Sequence, residues 1–498
     1  MKRIAAAVVL LMLALAVAGG SGHAAARSEL RIAVGSMVET FDPHNYRSVF
    51  DLLVDNLIAD TLIGVDNEMK PVPRLATSWQ LVNETTWRFQ LRQGVRFHDG
   101  TPFDAQAVKV NLERAAAALK GVRFYGELRE ARVVNAGTID LVLKRPFAPF
   151  FLNLAFPVGG IISPAALARG VDPTRSLVGT GPFKLAEWVP NERVVLDRNE
   201  TYWGKAPKLS RVIFRRIRDE STRHLALLGR EVDVSVDPPA HQVKGLRQSL
   251  LFDILLEPQA RILWLGFNFK DPVLKDKRVR QAIAHAIDRR TIVSRVLDAV
   301  PRDADAGILP PELMPTIPPQ RFEYNPARSR ELLAQAGVSS LSVSIMTPQG
   351  VWLGDKAIAE VVQSQLARVG VNASIRVLEY GSLVDAASRH EQQLWIILWG
   401  FTAHPDSFFR GVFHSRSAAN WTAYSNPEVD KLIDEAAVLT DRAKTQQAYW
   451  RIQKLLMDDV AMIPIYYAVN LYVKSKKVQN FRVHPLELLD LSETTIEE

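Results

Sequence analysis

Two histidines, each close to an acid, are the residues best suited to acid–base or metal chemistry. His98 directly precedes Asp99, and His404 lies two residues before Asp406. Imidazole and carboxylate groups can transfer protons or bind transition metals. The sequence lacks the HExxH spacing of zinc hydrolases and the GxSxG turn that presents a nucleophilic serine. We therefore expect a protein that is not an enzyme and that holds no metal and no cofactor.

The glycine pair Gly179 and Gly181 raises a second possibility, phosphate binding. A phosphate loop needs successive backbone N–H groups at the start of a helix, as in the GxxxxGK[ST] and GxGxxG patterns. Pro182 removes one of those donors, and the residues from 183 to 196 have the pattern of two short strands. The pair is therefore interpreted as the start of a strand and not as a nucleotide site.

The start of the chain has the pattern of a secretory signal peptide. Lys2 and Arg3 precede an apolar run over residues 4–18, and small residues follow as far as Ala26. The apolar run is too short to span a bilayer. We expect residues 1–26 to be removed during export to the periplasm. No lipoprotein anchor is expected, because the sequence contains no cysteine.

The charge of the chain is mildly positive and evenly distributed. The sequence has 61 Lys and Arg against 54 Asp and Glu. Basic residues alternate with acids, as in residues 211–223, whereas a nucleic-acid-binding surface needs a basic stripe or patch. We therefore expect no nucleic-acid partner. The chain is also longer than one hydrophobic core usually serves, which predicts more than one domain.

The order of strands and helices predicts an α/β protein with two lobes. The first region mixes short strands and helices, with a hairpin over residues 86–97 and a helix that begins at Asp104. The later region alternates apolar strands with helices, including a helical stripe over residues 276–297. Two strand-like runs, 261–269 and 463–481, lead between these regions. We expect them to form a two-strand hinge.

Five segments resemble, in order along nearly the whole mature chain, the extracellular solute-binding proteins of family 5. This is the dipeptide- and oligopeptide-binding group that supplies ABC importers. The segments are 91–108, 178–204, 266–293, 322–337 and 424–436. The resemblance implies a type II periplasmic binding protein fold of the peptide-binding cluster. Its expected parts are lobe 1 (27–265 plus 477–498), an added subdomain within lobe 1 (about 44–177) and lobe 2 (266–476).

The resemblance also implies a function. The protein would be the periplasmic substrate-binding component of an ABC importer, a monomer that captures a peptide or peptide-like solute between closing lobes. It would then dock transiently on an inner-membrane permease. Two alternatives stay open. The same fold could bind an opine, a sugar phosphate, a metal chelate or haem, or it could serve a sensory or chaperone role.

The resemblance further places the ligand site. Trp399 and Gly400 end a buried apolar strand, and ligands of α/β lobes bind at such strand ends. Trp399 is similar to the family's cleft tryptophan, and Tyr380 matches an aromatic residue that lines the cleft from a neighbouring strand. Met37 and Tyr125 are expected to face the same cleft from the first lobe.

The sequence departs from the family's peptide binders after that tryptophan. Those proteins carry an aspartate there that pairs with the α-amino group of the ligand, whereas Phe401 and Thr402 occupy the place here and the first acid is Asp406. A buried ammonium without a partner costs on the order of 3–5 kcal/mol, so unmodified peptides become less favoured. Arg410, with Arg416, could instead pair with an acidic ligand. The predicted site therefore includes Phe401, Thr402, Asp406 and Arg410.

Overall fold

A computed structural model describes residues 28–313 and 321–497. The predicted signal peptide, residues 1–26, lies outside this part of the chain. The strands are β1 (Glu29–Val34), β2 (Ile63–Val65), β3 (Pro71–Pro73), β4 (Ala76–Asn83), β5 (Thr86–Leu91), β6 (Leu128–Asn135), β7 (Thr138–Leu143), β8 (Phe183–Val189), β9 (Arg193–Arg198), β10 (Arg211–Arg216), β11 (Val234–Val236), β12 (Phe252–Phe267), β13 (Arg302–Asp303), β14 (Leu341–Thr347), β15 (Val371–Val377), β16 (Leu394–Gly400), β17 (Met462–Ser475), β18 (Val478–Gln479), β19 (Arg482–Val483), β20 (Leu489–Asp490) and β21 (Thr495–Ile496). The α-helices are Val49–Ile58, Ala105–Ala117, Val122–Tyr125, Pro149–Asn153, Pro164–Ala168, Glu220–Leu228, Ala240–Leu246, Lys277–Ala286, Arg289–Thr291, Pro326–Gln335, Asp355–Ala367, Tyr380–Ser388, Asp406–Phe413, Pro427–Ala436 and Arg442–Asp458.

In the described part of the chain, the central sheet has eleven strands and runs through both halves of the molecule. Its order is β15-β14-β16-β12-β17-β11-β1-β10-β9-β8, and β13 pairs with β17 at the side. The long strands β12 and β17 pair antiparallel, from Phe252 opposite Ser475 to Gly266 opposite Met462. β11 joins one end of this pair, at residues 472–474 of β17. β16 joins the opposite end, at residues 261–267 of β12.

β12 and β17 therefore connect two lobes. We call the half that contains β11, β1, β10, β9 and β8 the first lobe, and the half that contains β14, β15 and β16 the second lobe. The expected α/β fold with a two-strand hinge is thus present. The residue boundaries between the lobes, and those of the added subdomain, stay a prediction.

A separate four-stranded sheet, in the order β4-β5-β7-β6, packs on the helix Ala105–Ala117 and has its own hydrophobic core. Here the predicted hairpin over residues 86–97 is wrong. β5 ends at Leu91 and pairs with β4 and β7. Gly94 lies in the following loop at a φ of 78°, a backbone conformation that glycine adopts at little cost.

Side-chain caps start the helices where the sequence predicts them. The carboxylate of Asp104 accepts the N–H of Ala107 (2.9 Å), and Asn325 accepts the N–H of Arg328 (3.0 Å). Each cap satisfies a backbone donor that the first helical turn leaves unpaired. The stripe over residues 276–297, in contrast, is not one helix. The helix Lys277–Ala286 ends before an extended Ile287, and a new turn begins beyond it.

The glycine pair has a structural role. The backbone N–H of Gly181 donates to the carbonyl of Ile58 (2.8 Å), and the Gly181 carbonyl accepts from the Asn199 amide (3.0 Å). A Cβ atom on Gly181 would lie 2.6 Å from the carbonyl carbon of Ile58, and one on Gly179 would lie 2.7 Å from the Cα of Ala59. Both glycines therefore permit a close backbone approach, and the N–H of Gly181 is unavailable to a phosphate.

The substitution Gly181→Ala is expected to lower the free energy of unfolding by about 1–3 kcal/mol, because the added methyl group must displace backbone atoms. Urea unfolding followed by circular dichroism measures this change. Gly245→Ala is the matched control, since nothing lies within 4 Å of a Cβ atom there. An alanine in that helix should be neutral or stabilise by up to about 1 kcal/mol. Equal effects of the two substitutions would contradict the packing argument.

Candidate functional site

Trp399 lies at the carboxyl end of β16, where side chains from distant parts of the chain meet. Its ring packs edge-on against Trp421, with ring centroids 5.3 Å apart. The guanidinium of Arg123, from the helix Val122–Tyr125 that shares the hydrophobic core of the four-stranded sheet, lies 5.9 Å from the Trp399 ring centroid. Next to Trp399, Gly400 pairs with Arg261 of the hinge strand β12. The site therefore joins an aromatic side chain of the second lobe to two arginines.

The two arginines also act on nearby tyrosines. Burial raises the pKa of the Tyr46 hydroxyl, and the charges of Arg123 and Arg261 oppose that rise. Arg261 has the same opposing effect on Tyr380, whose pKa burial raises. Within the described part of the chain Arg123 makes no ion pair, whereas Arg261 Nε lies 2.7 Å from the Glu487 carboxylate. Arg123 is thus the guanidinium available to a ligand.

Tyr380 does not belong to a strand, which corrects the sequence prediction. β15 ends at Val377, and Tyr380 is the first residue of the helix Tyr380–Ser388. The Glu379 side chain caps this helix by accepting the N–H of Ser382 (3.1 Å). The Tyr380 ring packs edge-on against Trp352 and is 43% exposed. Its place in the ligand site stays a proposal.

The residues after Gly400 turn their side chains inward. Phe401 is buried, and its ring packs at a tilt against Phe408, with ring centroids 4.6 Å apart. The Thr402 hydroxyl donates to the carbonyl of His404 (3.1 Å). Neither side chain supplies a charge to the place where the family's peptide binders carry an aspartate. Any contact of these two residues with a ligand would use their backbone.

Asp406 and Arg410 form an internal ion pair, which corrects the expectation that they face a ligand. Asp406 is 2% exposed. Its carboxylate accepts from Arg410 Nε (3.0 Å) and from the Tyr449 hydroxyl (3.1 Å). Arg410 Nη1 also donates to Asp434 (2.7 Å). Burial alone would lower the pKa of Arg410, but the two carboxylates raise it.

Met37 and Tyr125 are core residues, contrary to the prediction that they line the cleft. Met37 is 4% exposed and packs in the core of the first lobe. Tyr125 is fully buried, and its hydroxyl donates to the carbonyl of Asn153 (2.8 Å). A solute could reach either side chain only if the surrounding core opened.

Of the two histidines that first indicated chemistry, His404 is buried and His98 is half-buried. Burial lowers the pKa of His98 and of His404 to about 4. The His98 Nε2 lies 3.0 Å from the Gly181 carbonyl. Burial would raise the pKa of Asp99, but hydrogen bonds from Thr101, Arg169 and Ser163 outweigh it and lower the pKa to about 2. No group of three or more potential ligands within residues 28–313 and 321–497 could hold a metal ion.

Sequence reasoning missed Arg123 and Arg261. Arg123 lies two residues before Tyr125, the residue predicted to face the cleft. It is Arg123, and not Tyr125, that reaches Trp399. Arg261 starts the strand-like run 261–269 and could have been noticed as a charge on a predicted hinge. Across the described residues, the helices are all too short or too polar to cross a bilayer.

Comparison with known proteins gives consistent matches over nearly the whole chain. Residues 70–420 match the family model described as bacterial extracellular solute-binding proteins, family 5 Middle. The glutathione-binding protein GsiB of Escherichia coli (strain K12) is 28% identical over 493 residues, with 96% of each chain covered.

Two solved structures support the fold. The ABC transporter-associated periplasmic binding protein DppA from Helicobacter pylori, in complex with the peptide STSA, has a TM-score of 0.81 at 23% identity and covers 95% of this chain and 99% of its own. A dipeptide-binding protein from Pseudoalteromonas sp. SM9913, in complex with Met-Leu, has a TM-score of 0.82 at 23% identity, with 94% and 100% covered. These structures confirm the expected two-lobed periplasmic binding fold.

Proposed function

Because the chain belongs to the bacterial extracellular solute-binding proteins of family 5, we propose that it captures a peptide or peptide-like solute between its two lobes. The loaded protein then docks on an inner-membrane ABC permease from the periplasm, as a monomer. Members of this family are binding proteins, and the proposal includes no reaction on the solute. The glutathione-binding relative makes glutathione the first solute to test.

The observation that carries the proposal is the approach of Arg123 to Trp399 across the two predicted lobes (5.9 Å). A tryptophan face gives a solute apolar contact area without demanding one side-chain shape. A guanidinium binds a carboxylate through two parallel hydrogen bonds. Peptides and glutathione carry a terminal carboxylate, so both fit an aromatic surface beside an unpaired arginine.

The position of the two residues also connects binding with closure. A solute shifts an open–closed equilibrium only by binding the closed form better than the open one. Because Arg123 falls within the predicted first lobe (27–265 plus 477–498) and Trp399 within the predicted second lobe (266–476), a solute that contacts both favours the closed form. The lobes already touch away from this point, where the Ala148 N–H donates to the Ala437 carbonyl (2.7 Å). A permease can then distinguish loaded from empty protein by shape.

Native mass spectrometry of the protein purified from its own periplasm tests the proposal. The expected result is a co-purified adduct with the mass of glutathione or of a short peptide. Isothermal titration calorimetry with glutathione and with Met-Leu then gives the affinities. An adduct with the mass of a sugar phosphate, an opine or a metal chelate, together with no binding of either probe, would overturn the peptide proposal.

Two substitutions test the site itself. Trp399→Ala and Arg123→Met are each expected to weaken the affinity for the co-purified solute about tenfold to a hundredfold, because the first removes contact area and the second a charged donor. Titration calorimetry measures both. Arg129→Met is the matched control, since Arg129 is exposed on β6 and should leave the affinity unchanged. Unchanged affinity in both site variants would place the solute elsewhere.

A further inference from the structure

Asp237 presents an unpaired carboxylate beside the hinge. It follows β11, and its backbone N–H donates to the carbonyl of Leu471 in the hinge strand β17 (2.9 Å). The side chain is exposed to solvent. Throughout residues 28–313 and 321–497, no hydrogen bond or ion pair engages its carboxylate. Asp237 is therefore anchored by its backbone alone.

The buried arginine Arg223 fixes the backbone at this point. Its guanidinium donates to four carbonyl groups, among them those of Val236 (3.0 Å) and Asp237 (3.0 Å). Asp237 is held at a φ of 47°, in the left-handed region that costs an L-residue roughly 1 kcal/mol or more. Neighbouring groups thus impose a conformation that directs the Asp237 side chain away from the core.

Asp237 and Trp399 both lie at strand ends beside the hinge. Asp237 follows the carboxyl end of β11, at residues 471–472 of the hinge strand β17, and Trp399 lies at the carboxyl end of β16, opposite Ile262 of the hinge strand β12. Although the Asp237 side chain is open to solvent, enough protein surrounds it for burial to raise its pKa to about 6. Arg223 and Arg261 oppose that rise, whereas Glu487 adds to it. Arg261 is also the residue that pairs with Gly400, next to Trp399. One arginine therefore connects the surroundings of Asp237 with those of Trp399.

Three acids near the site are already engaged. Asp406 is buried and paired with Arg410, and Glu487 is paired with Arg261. Glu379 caps the helix that starts at Tyr380. An ammonium group bound near Trp399 would need a carboxylate, because an unpaired charge taken out of water is strongly unfavourable.

We propose that Asp237 is a specificity-determining residue that binds the ammonium group of the solute. It would perform the role of the aspartate that the sequence lacks after Trp399, from the first lobe instead of the second. This inference rests on the proposed function, capture of a peptide-like solute. The solute would therefore be a zwitterion, whose carboxylate faces Arg123 and whose amino group faces Asp237.

The test compares the native protein with Asp237→Asn by titration calorimetry. The probes are glutathione and trialanine, each with a free amino group and in N-acetylated form. Asparagine tolerates a positive φ, so the backbone should be kept. We expect Asp237→Asn to weaken binding of the free-amine probe about tenfold to a hundredfold and to leave binding of the acetylated probe unchanged.

Asp298→Asn is the matched control, because Asp298 is also exposed and has a φ of 50°. It should bind every probe like the native protein. Native affinity of Asp237→Asn for the free-amine probe would overturn the role of Asp237 and leave the proposed function standing. An equal loss for free and acetylated probes would also overturn it. If the native protein binds none of the probes and co-purifies with a solute of non-peptide mass, the proposed function fails, and this inference fails with it.

Discussion

Arg410→Met is expected to lower the free energy of unfolding by about 3–5 kcal/mol, because it leaves the Asp406 carboxylate buried without its cation. Asp406 is 2% exposed. Apart from Arg410, its side chain accepts a hydrogen bond from the neutral Tyr449 hydroxyl (3.1 Å). The same guanidinium also donates to the Ile433 carbonyl (3.1 Å) and to Asp434. Its loss therefore loosens the contact between two helices as well. Urea unfolding followed by circular dichroism measures the change.

A second substitution separates the buried charge from the lost packing. The double variant Arg410→Met/Asp406→Asn removes the carboxylate charge and is expected to regain about 1–3 kcal/mol of the loss. Arg416→Met is the control, since Arg416 is exposed and its pair with Asp434 (3.1 Å) should contribute at most about 1 kcal/mol. If Arg410→Met instead kept native stability and lost solute affinity, the ligand role first expected for Arg410 would be restored.

This pair shows why the sequence predicted the fold better than the site. The helix Asp406–Phe413 brings Asp406 and Arg410 onto one face, four residues apart, and such spacing is visible in the sequence. Their other partners, Tyr449 and Asp434, come from separate helices. A pattern within one segment cannot reveal that residues from distant segments enclose it. Two charges near a predicted cleft were therefore interpreted as ligand contacts.

The difference between contacts within one segment and contacts between distant segments also explains which predictions about the fold were right and which were wrong. The caps at Asp104 and Asn325 are local, because the side chain and its backbone partner are three residues apart. The apolar run 394–400 can also be recognised from one segment alone, and the structure forms β16 there. The failed hairpin at residues 86–97 depended on a pairing partner, and β5 finds one partner, β7, about fifty residues later. Pairing between distant segments is set by tertiary packing, which alternation of residue types does not encode.

Asp55, a buried acid in the first lobe, leads to a prediction about how the stability of the protein changes with pH. Asp55 lies in the helix Val49–Ile58 and is 1% exposed. Neither of its carboxylate oxygens has a hydrogen-bond partner in the described structure. Burial raises the pKa of Asp55 well above its usual range, and the charges of Asp51 and Asp42 add to the rise. The folded protein therefore holds a proton on Asp55 at pH values where the unfolded chain has lost it.

Asp55→Asn is expected to make the protein more stable at neutral pH. Above the ordinary pKa of an aspartate, folding of the native chain must take up a proton. Its free energy of unfolding then falls, from this group alone, by about 1.4 kcal/mol per pH unit until the raised pKa is reached. Asparagine needs no proton, so the variant escapes this loss. Other titrating groups are common to both proteins and largely cancel in the difference, which urea unfolding at about pH 4 and about pH 7 measures.

Asp51→Asn provides the contrast, one turn earlier in the same helix. The Asp51 carboxylate is also buried, but it accepts the backbone N–H groups of Glu39 (2.8 Å), Arg47 (2.9 Å) and Ser48 (2.9 Å). An amide keeps only one acceptor oxygen and turns its NH2 group either toward the N–H of Glu39 or toward those of Arg47 and Ser48, so Asp51→Asn should destabilise the protein by about 1–3 kcal/mol. Replacing aspartate by asparagine should thus lower the free energy of unfolding at Asp51 and raise it at Asp55. Hydrogen bonds stabilise the Asp51 carboxylate, whereas none reaches the Asp55 carboxylate in the described structure. A destabilising Asp55→Asn at about pH 7, with no growth of the difference from about pH 4, would show that Asp55 is ionised and paired in the folded protein.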